Sequence, residues 1–432
     1  MKGRLNIFQS AMLRWRELHP YNAVHVVRVD ARLDATRLSS DIDAVLTARG
    51  LTGLVLDTAR ARYEYTGGAP QTTLEVLTGG DNPDEVVRGA MERGINAKFD
   101  SSGRVDPFRF FAVDAGPRCH VGVAYDHVVA GGDSIVDLLA EIAHRYTVDN
   151  IAVAPRPVPS LYPETCRPML IRHAGYVLAG MTAIPGALAS ARRSLRPRYA
   201  HGDSRHNAFA TMRVAKPGVD ALSRAARAWD VTRADLMIAL LMKAIAPIAG
   251  DARHGKRRRE IGIAWIVNIR RDFGTSFRES FGQFLSSYRC AHPVPSGISV
   301  RELSQDVHRV TSKVRRRKLY LVTLLALFGL WLLWPRLSAK QRGAVDAKNY
   351  PAWAGLTPLD VDALWPQAFG TAPPDQYLRA VSTGPASPLI VAATTVGGEW
   401  HLGFSYRIAA YTAEDIARIA AAITHLVNTL DA

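Results

Sequence analysis

The chain has 432 residues, 48% hydrophobic and 22% charged, with a formal net charge of +15. This composition excludes a disordered or fibrous protein and leaves room for two or three core-bearing units. A pI near 10.0 favours anionic partners without choosing among nucleic acid, phosphate-bearing cofactors, acidic proteins and anionic membranes.

In chain order, residues 21–33 alternate, with Val27, Val29, Ala31 and Leu33 on one face and Arg28, Asp30 and Arg32 on the other, as in a half-buried strand. Asp34 is placed to cap a helix whose stripe is Leu38, Ile42, Val45 and Leu46, and Gly50 ends it. Residues 108–114 and 119–125 predict two strands around Ala115-Gly116-Pro117, and 134–146 a helix with Ile135, Leu138, Leu139 and Ile142 inward. The proline-rich stretch 147–168 reads as a connection, and 169–195 as an apolar, basic helix broken at Pro185. A strand near 207–214, helices at 219–228 and 232–246 (the second stopping before Pro247), and strands at 260–268 and 281–291 follow. A hairpin, 389–395 and 399–407, turns at Val396-Gly397-Gly398. Residues 412–430 close the chain as a helix with Ile416, Ile419, Ile423 and Val427 on one face.

The apolar run 319–335 follows Arg315, Arg316, Arg317 and Lys318 and precedes Arg336, Lys340 and Arg342. At just under the ~20 residues a spanning helix needs, it leaves three readings: a span, a buried helix or an interfacial one. The expectation is a helix packed on the second lobe or lying at a membrane surface. Residues 1–18 lack the continuous apolar core of a secretory signal. Cys119, Cys166 and Cys290 match no zinc, redox or disulfide pattern. A cytoplasmic location is the simplest reading.

No P-loop, dinucleotide-binding, zinc-protease or nucleophile-elbow motif occurs, and no metal site is expected. Basic runs such as Lys256-Arg257-Arg258-Arg259 lack interleaved aromatics, so no nucleic-acid partner is expected. The informative segment is Tyr125-Asp126-His127-Val128-Val129-Ala130-Gly131-Gly132-Asp133-Ser134. A strand ends at an imidazole, two glycines allow close backbone approach, and a helix then begins. Such an imidazole can take a proton while the helix N-terminus steadies an oxyanion. A hydrogen-bonded structural histidine in a tight turn is the other reading.

This segment resembles the HHxxxDG motif of peptide-synthetase condensation domains and wax ester synthases, in the chloramphenicol acetyltransferase-like superfamily. His127 falls on the second histidine, the family's general base, and Gly132 and Ser134 on its glycine and serine. The likeness continues elsewhere. Residues 33–38 (LDATRL) resemble the first strand-to-helix unit, Ile95-Asn96-Ala97-Lys98-Phe99-Asp100 the approach to the motif, and 231–241 (VTRADLMIALL) a recurring helix. Val267-Asn268-Ile269-Arg270 is similar to V-N-x-R, and Phe281-Gly282-Gln283-Phe284-Leu285-Ser286 to a G-x-F-x-N segment.

The resemblance implies an α/β (α+β) fold of two chloramphenicol-acetyltransferase-like lobes with an interlobe tunnel. The expected units are residues 1–165, carrying His127, a connecting helix and linker 166–205, and a second lobe 206–432. The implied activity is acyl transfer from a thioester, acyl-CoA or a phosphopantetheine-linked chain, to an alcohol or amine, in natural product or lipid biosynthesis. No tightly bound cofactor is implied. Expected partners are a small-molecule or lipid acceptor, an acyl carrier protein, and a membrane met peripherally through 319–335, which would put the protein at the inner membrane surface. No adenylation or carrier domain is visible in the chain, so it is expected to act alone or in trans. Gly132, Ser134 and Ser286 are the implied oxyanion or substrate-binding residues, with Asp126, Asp133, Asn268 and Arg270 supporting the site.

Two departures stand out. Asp126 replaces the first histidine, and Gly131 replaces the motif aspartate whose family partner is the arginine matched by Arg270. Asp126 or Asp133 must then serve Arg270, with Asp133 slightly favoured, or the site has decayed into a binding module. Ser286 and Ser287 stand where Asn-Thr is usual, and no asparagine-bearing loop is evident near residues 355–360.

Overall fold

Runs rich in Val, Ala, Phe and Tyr pair into three sheets in the computed structural model. It describes residues 1–70, 73–100, 102–148, 163–202, 204–250, 257–274, 280–338, 340–342, 348–369, 372–384 and 387–430. The strands are β1 (Lys2–Arg4), β2 (Asn22–Val29), β3 (Leu54–Asp57), β4 (Arg62–Tyr65), β5 (Leu74–Thr78), β6 (Gly103–Val105), β7 (Phe108–Ala115) and β8 (Arg118–Asp126). They continue as β9 (Asn207–Val214), β10 (Ile261–Asn268), β11 (Leu285–His292), β12 (Ala354–Asp360), β13 (Tyr377–Val381), β14 (Leu389–Val396) and β15 (Glu399–Arg407).

The first lobe holds the sheet β13-β2-β8-β7-β5, the second β11-β10-β12-β14-β15-β9, and a small third sheet runs β1-β4-β3-β6. Helix Ala35–Arg49 packs on the first lobe as its stripe requires. Asp34 accepts from Arg37 N, Leu38, Ile42, Val45 and Leu46 are buried, and Gly50 closes the helix at φ +69°. The β14–β15 hairpin turns through Gly397 and Gly398 at φ +61° and +73°, the pair of positive angles a two-residue turn of matching twist needs. Helix Ala413–Asn428 starts on a reciprocal Thr412/Asp415 cap and buries Ile416, Ile419, Ile423 and Val427.

The lobes do not follow the division at residues 205 and 206. β13 lies far along the chain yet pairs antiparallel with β2, Tyr377 opposite Val27 and Val381 opposite Ala23. It also touches the second sheet, where Val381 N donates to Ser405 Oγ at 3.2 Å. One strand of segment 206–432 therefore completes the first lobe and ties it to the second.

Three expectations are corrected, and the apolar run takes the helical form expected of it. β2 stops at Val29, so Ala31 and Leu33 lie beyond it. Helix Arg233–Ala249 runs through Pro247 rather than stopping before it, giving up the one bond an N–H there would make to the carbonyl of Lys243. Residues 281–284 precede β11 rather than belonging to it. The run 319–335 forms helix Val322–Leu333 between short 3-10 turns at Leu319–Leu321 and Trp334–Arg336. It packs between helix Ile7–Leu18 and β11 of the second sheet, where Thr323 Oγ1 donates to Ser287 O at 2.7 Å. Leu321, Leu324 and Leu327 join the first core, and Arg14 Nη1 donates to Trp331 O at 2.8 Å. Most of the connection at 147–168 lies outside the described residues.

Candidate functional site

β8 runs to Asp126, and the pleat sends Asp126 and His127 to opposite sides. Asp126 turns into the first lobe, where it pairs with Arg16 of helix Ile7–Leu18 and accepts from Val128 N at 3.1 Å. Burial pushes its carboxyl up, and Arg16 opposes that shift. Asp126 is thus committed to Arg16 and is not the acceptor for Arg270.

His127 lies where the lobes meet and is 7% exposed. Its Nδ1 lies 2.9 Å from Ala130 O. A carbonyl only accepts, so Nδ1 carries the proton and Nε2 holds a lone pair. Nε2 makes no hydrogen bond among the described residues. The ring is bracketed by Tyr21 and Tyr125, each with its centroid 5.7 Å away. Burial pulls the imidazole pKa down to about 4, the Ala130 bond opposes this, and the positive charge of Arg379 adds to it. The ring is therefore neutral near pH 7.

The loop after His127 is stapled to the second lobe. Gly131 N donates to Gly282 O at 3.0 Å. Asp133 Oδ2 accepts from Arg270 Nε and from Asn268 Nδ2, both at 2.9 Å. Arg270 also reaches Ser280 O, donates to Ser134 Oγ at 3.2 Å and lies 4.2 Å from the Phe284 ring centroid. The carboxylate that serves Arg270 thus lies in the first turn of helix Gly132–Thr147, two residues beyond Gly131. Asn268 supports the staple twice, since its Oδ1 accepts from Arg270 N at 2.9 Å.

Two serines are spent elsewhere. Ser134 Oγ donates to Gly282 O and accepts from Gly282 N, both at 3.2 Å, in addition to Arg270. Its hydroxyl is fully used in the staple. Ser286 is buried and donates to Tyr320 O at 2.6 Å, fastening β11 to the turn before the apolar helix. Residues 355–360 lie within strand β12.

Gly132 opens the helix beside a group the sequence reading missed. A Cβ there would lie 3.2 Å from Arg379 Nη1 and 3.4 Å from His25 Cε1. Arg379, on β13, is 4% exposed. Its Nε donates to Thr394 Oγ1 at 3.0 Å and its Nη2 to Thr357 O. It pairs with no carboxylate among the described residues, and burial lowers its pKa to about 10. His25 lies between Tyr377 OH at 2.8 Å and Tyr125 OH at 3.4 Å. Burial, then Arg379, hold its pKa well below the ordinary value. No local motif marks Arg379; only the return of β13 to the first sheet brings it here. Among the described residues, no group of three or more His, Cys, Asp or Glu side chains is arranged to hold a metal.

No protein-family profile and no curated protein sequence matches the chain. Solved structures do. The first condensation domain of the calcium-dependent antibiotic synthetase, in complex with a substrate analogue, aligns over 100% of this chain and 98% of its own at TM-score 0.71 and 16% identity. The starter condensation domain of rhizomide synthetase, as a mutant in complex with C8-CoA and Leu-SNAC, aligns over 100% and 95% at TM-score 0.69 and 13% identity. The EpoB NRPS cyclization-docking bidomain from Sorangium cellulosum aligns over 100% and 85% at TM-score 0.71 and 11% identity. Across its whole length, the chain has the condensation-domain fold.

Proposed function

We propose that the protein transfers an acyl group from a thioester to an alcohol or amine, with His127 as general base. The observation that carries this reading is the state of the imidazole: Nδ1–H held by Ala130 O, and Nε2 left as a lone pair on a neutral, buried ring. Nε2 takes the acceptor's proton as the acceptor's oxygen or nitrogen attacks the thioester carbonyl. The resulting oxyanion meets the N–H groups opening helix Gly132–Thr147 and the uncompensated charge of Arg379. As the tetrahedral centre collapses, the C–S bond breaks and the sulfur leaves with the proton held on Nε2. Overall, one C–S bond is exchanged for a C–O or C–N bond, with no change of oxidation state.

The donor is an acyl-CoA or an acyl chain on a carrier protein's phosphopantetheine. The structural relatives captured with C8-CoA and Leu-SNAC, or joined to a docking domain, support that class. The lobes would admit donor and acceptor from opposite faces, in the cytoplasm, with no resident cofactor.

A second reading, an inactive binding module, is motivated by Gly131. Against it, the Asp133–Arg270 pair keeps the loop braced without the motif aspartate. The test is thiol release from a panel of acyl-CoA donors by wild type and His127→Ala. Release that His127→Ala abolishes supports the transferase. No release with any CoA- or carrier-bound donor favours the binding module.

A further inference from the structure

The chain's positive excess is concentrated in two stretches. Residues 165–202 contain six arginines, residues 307–345 contain nine lysines and arginines, and neither contains an aspartate or glutamate. Against 54 Lys and Arg and 39 Asp and Glu in all, the rest of the chain balances, 39 to 39. The same stretches, under a fifth of the chain, hold eleven of the fifteen large hydrophobic side chains exposed among the described residues. Leu178 is 65% exposed and Leu333 54%. Scattered apolar side chains need no explanation, but a concentration like this does.

The two stretches are neighbours in space. Helix Ala174–Met181 packs at Gly180 against Val322 and Leu319. Lys318 Nζ lies 5.8 Å from the Tyr176 ring centroid. Helix Val322–Leu333 uses its inner face on the first core through Leu324 and Leu327, while Phe328, Leu332 and Leu333 face outward. It is therefore seated along the surface, although the run Leu319–Arg336 that contains it is by length and composition long and apolar enough to cross a membrane. Some of the charge is used within the fold: Arg193 pairs with Glu260, Arg315 with Asp235 and Lys318 with Asp272. Arg172, Arg196, Arg198, Arg316, Arg317 and Arg336 form no ion pair among the described residues.

We propose that these stretches form one docking face for an anionic lipid bilayer, with the apolar side chains entering the acyl boundary and the arginines meeting headgroup phosphates. Charge selects this occupant. In a symmetric dimer the face would meet itself and oppose its own positive charge, whereas an anionic bilayer complements it. The face also lies one helix from the candidate site: helix Ile7–Leu18 holds Trp331 O through Arg14 and Asp126 through Arg16.

The test is flotation of the full chain with vesicles of phosphatidylcholine alone and with roughly a third phosphatidylglycerol, at low and high salt. Wild type is expected to float with the anionic vesicles, less at high salt. Leu178→Glu/Leu333→Glu is expected to lower partitioning at least ~tenfold, and Arg316→Glu/Arg317→Glu to lower it by ~tenfold or more. Val76→Glu adds a charge at another exposed apolar position, 50% exposed on β5, and should float like wild type. All the substituted side chains are exposed or half-buried, and circular dichroism checks the fold. The proposal is overturned if wild type ignores anionic vesicles, if the leucine variant floats like Val76→Glu, or if wild type is a dimer that the leucine variant splits without any vesicle binding.

Discussion

Replacing Asp133 by alanine removes the carboxylate that holds Arg270 and Asn268 under the His127 loop. The pair is nearly buried, 11% exposed on the arginine side and 16% on the aspartate side. Removing one partner of a fully buried pair costs ~3–5 kcal/mol. Arg270 would keep Ser280 O, Ser134 Oγ and the Phe284 face, so about 2–3 kcal/mol is expected here. Gly131→Asp in that background supplies the rescue. Gly131 is the N-cap at φ −93°, ψ 168°, with no side-chain cap bond, a conformation aspartate adopts freely and a position where it is favoured over glycine by roughly a few tenths of a kcal/mol. With Asp133 present, a Cβ at 131 would sit 3.1 Å from Asp133 Oδ1. Gly131→Asp alone should therefore crowd two carboxylates and destabilise, yet stabilise once Asp133 is gone. A double-mutant cycle in urea, followed by tryptophan fluorescence and by thiol release, reads that change of sign. The reasoning is refuted if Asp133→Ala leaves both readouts unchanged, or if Gly131→Asp has the same sign in both backgrounds.

His127→Ala should lower thiol release by ~10²–10⁴-fold, while the urea midpoint moves only by what one hydrogen bond to Ala130 contributes, about 1 kcal/mol. A variant releasing thiol at the wild-type rate removes His127 from the chemistry. The acid limb of kcat/KM should fall near pH 4 rather than near 6.5, because the base stays unprotonated down to its depressed pKa; a limb near 6.5 contradicts the buried, neutral imidazole. The same burial predicts a stability slope. His127 and His19 have folded pKa values of about 4 and 3, and His25 also lies well below its ordinary value, with burial the largest cause in each. Unfolded chains bind protons from about pH 6.5 downward and these folded sites do not. Stability from them is whole above that pH and lost as pH falls toward 4, which urea midpoints at pH 7.5 and pH 5 will show. Arg379→Met should leave the melting temperature near or above wild type, since an uncompensated buried charge is exchanged for apolar volume, and should lower kcat more than it raises KM. An unchanged kcat would place Arg379 outside the reaction.

Much of this was legible in the sequence where a local signal and a global one agreed. The stripe of helix Ala35–Arg49, the strands around Gly116 and the glycine hairpin each carry their own periodicity and their own stop. The partner of Arg270 was legible as a choice between two aspartates, and the pleat settled it by turning Asp126 toward Arg16. Three helices whose caps and apolar stripes both stand in the sequence are absent from that reading. Helix Ile7–Leu18 starts on a reciprocal Asn6/Gln9 cap, helix Pro83–Asn96 on Asn82 followed by proline, and helix Val300–Arg316 on Ser299/Glu302. The bonds of Ser134 and Ser286 were not legible for another reason. A hydroxyl looks available in sequence until the chain that consumes it is in place, and here Gly282 and Tyr320 come from more than thirty residues away.

Arg379 was the least legible residue, because nothing within its own strand distinguishes it from an exposed arginine. Its place depends on β13 leaving the second half of the chain to pair with β2. The site then contains two guanidinium groups in different electrical states. Arg270 is matched by Asp133 and braces the loop, contributing little net field at His127. Arg379 is unmatched among the described residues, and its field depresses the His127 and His25 imidazoles. In the resting protein that arrangement costs stability, since a buried cation lacks a counter-charge. On the proposed reaction it is repaid at one moment: when the thioester carbonyl becomes an oxyanion, the missing counter-charge appears beside Arg379. The same anion then offsets the field that disfavours a protonated His127, so the proton transfer and the carbonyl attack support each other. On that proposal the braced loop with its matched arginine positions the base, and the unmatched arginine favours the transition state over the ground state.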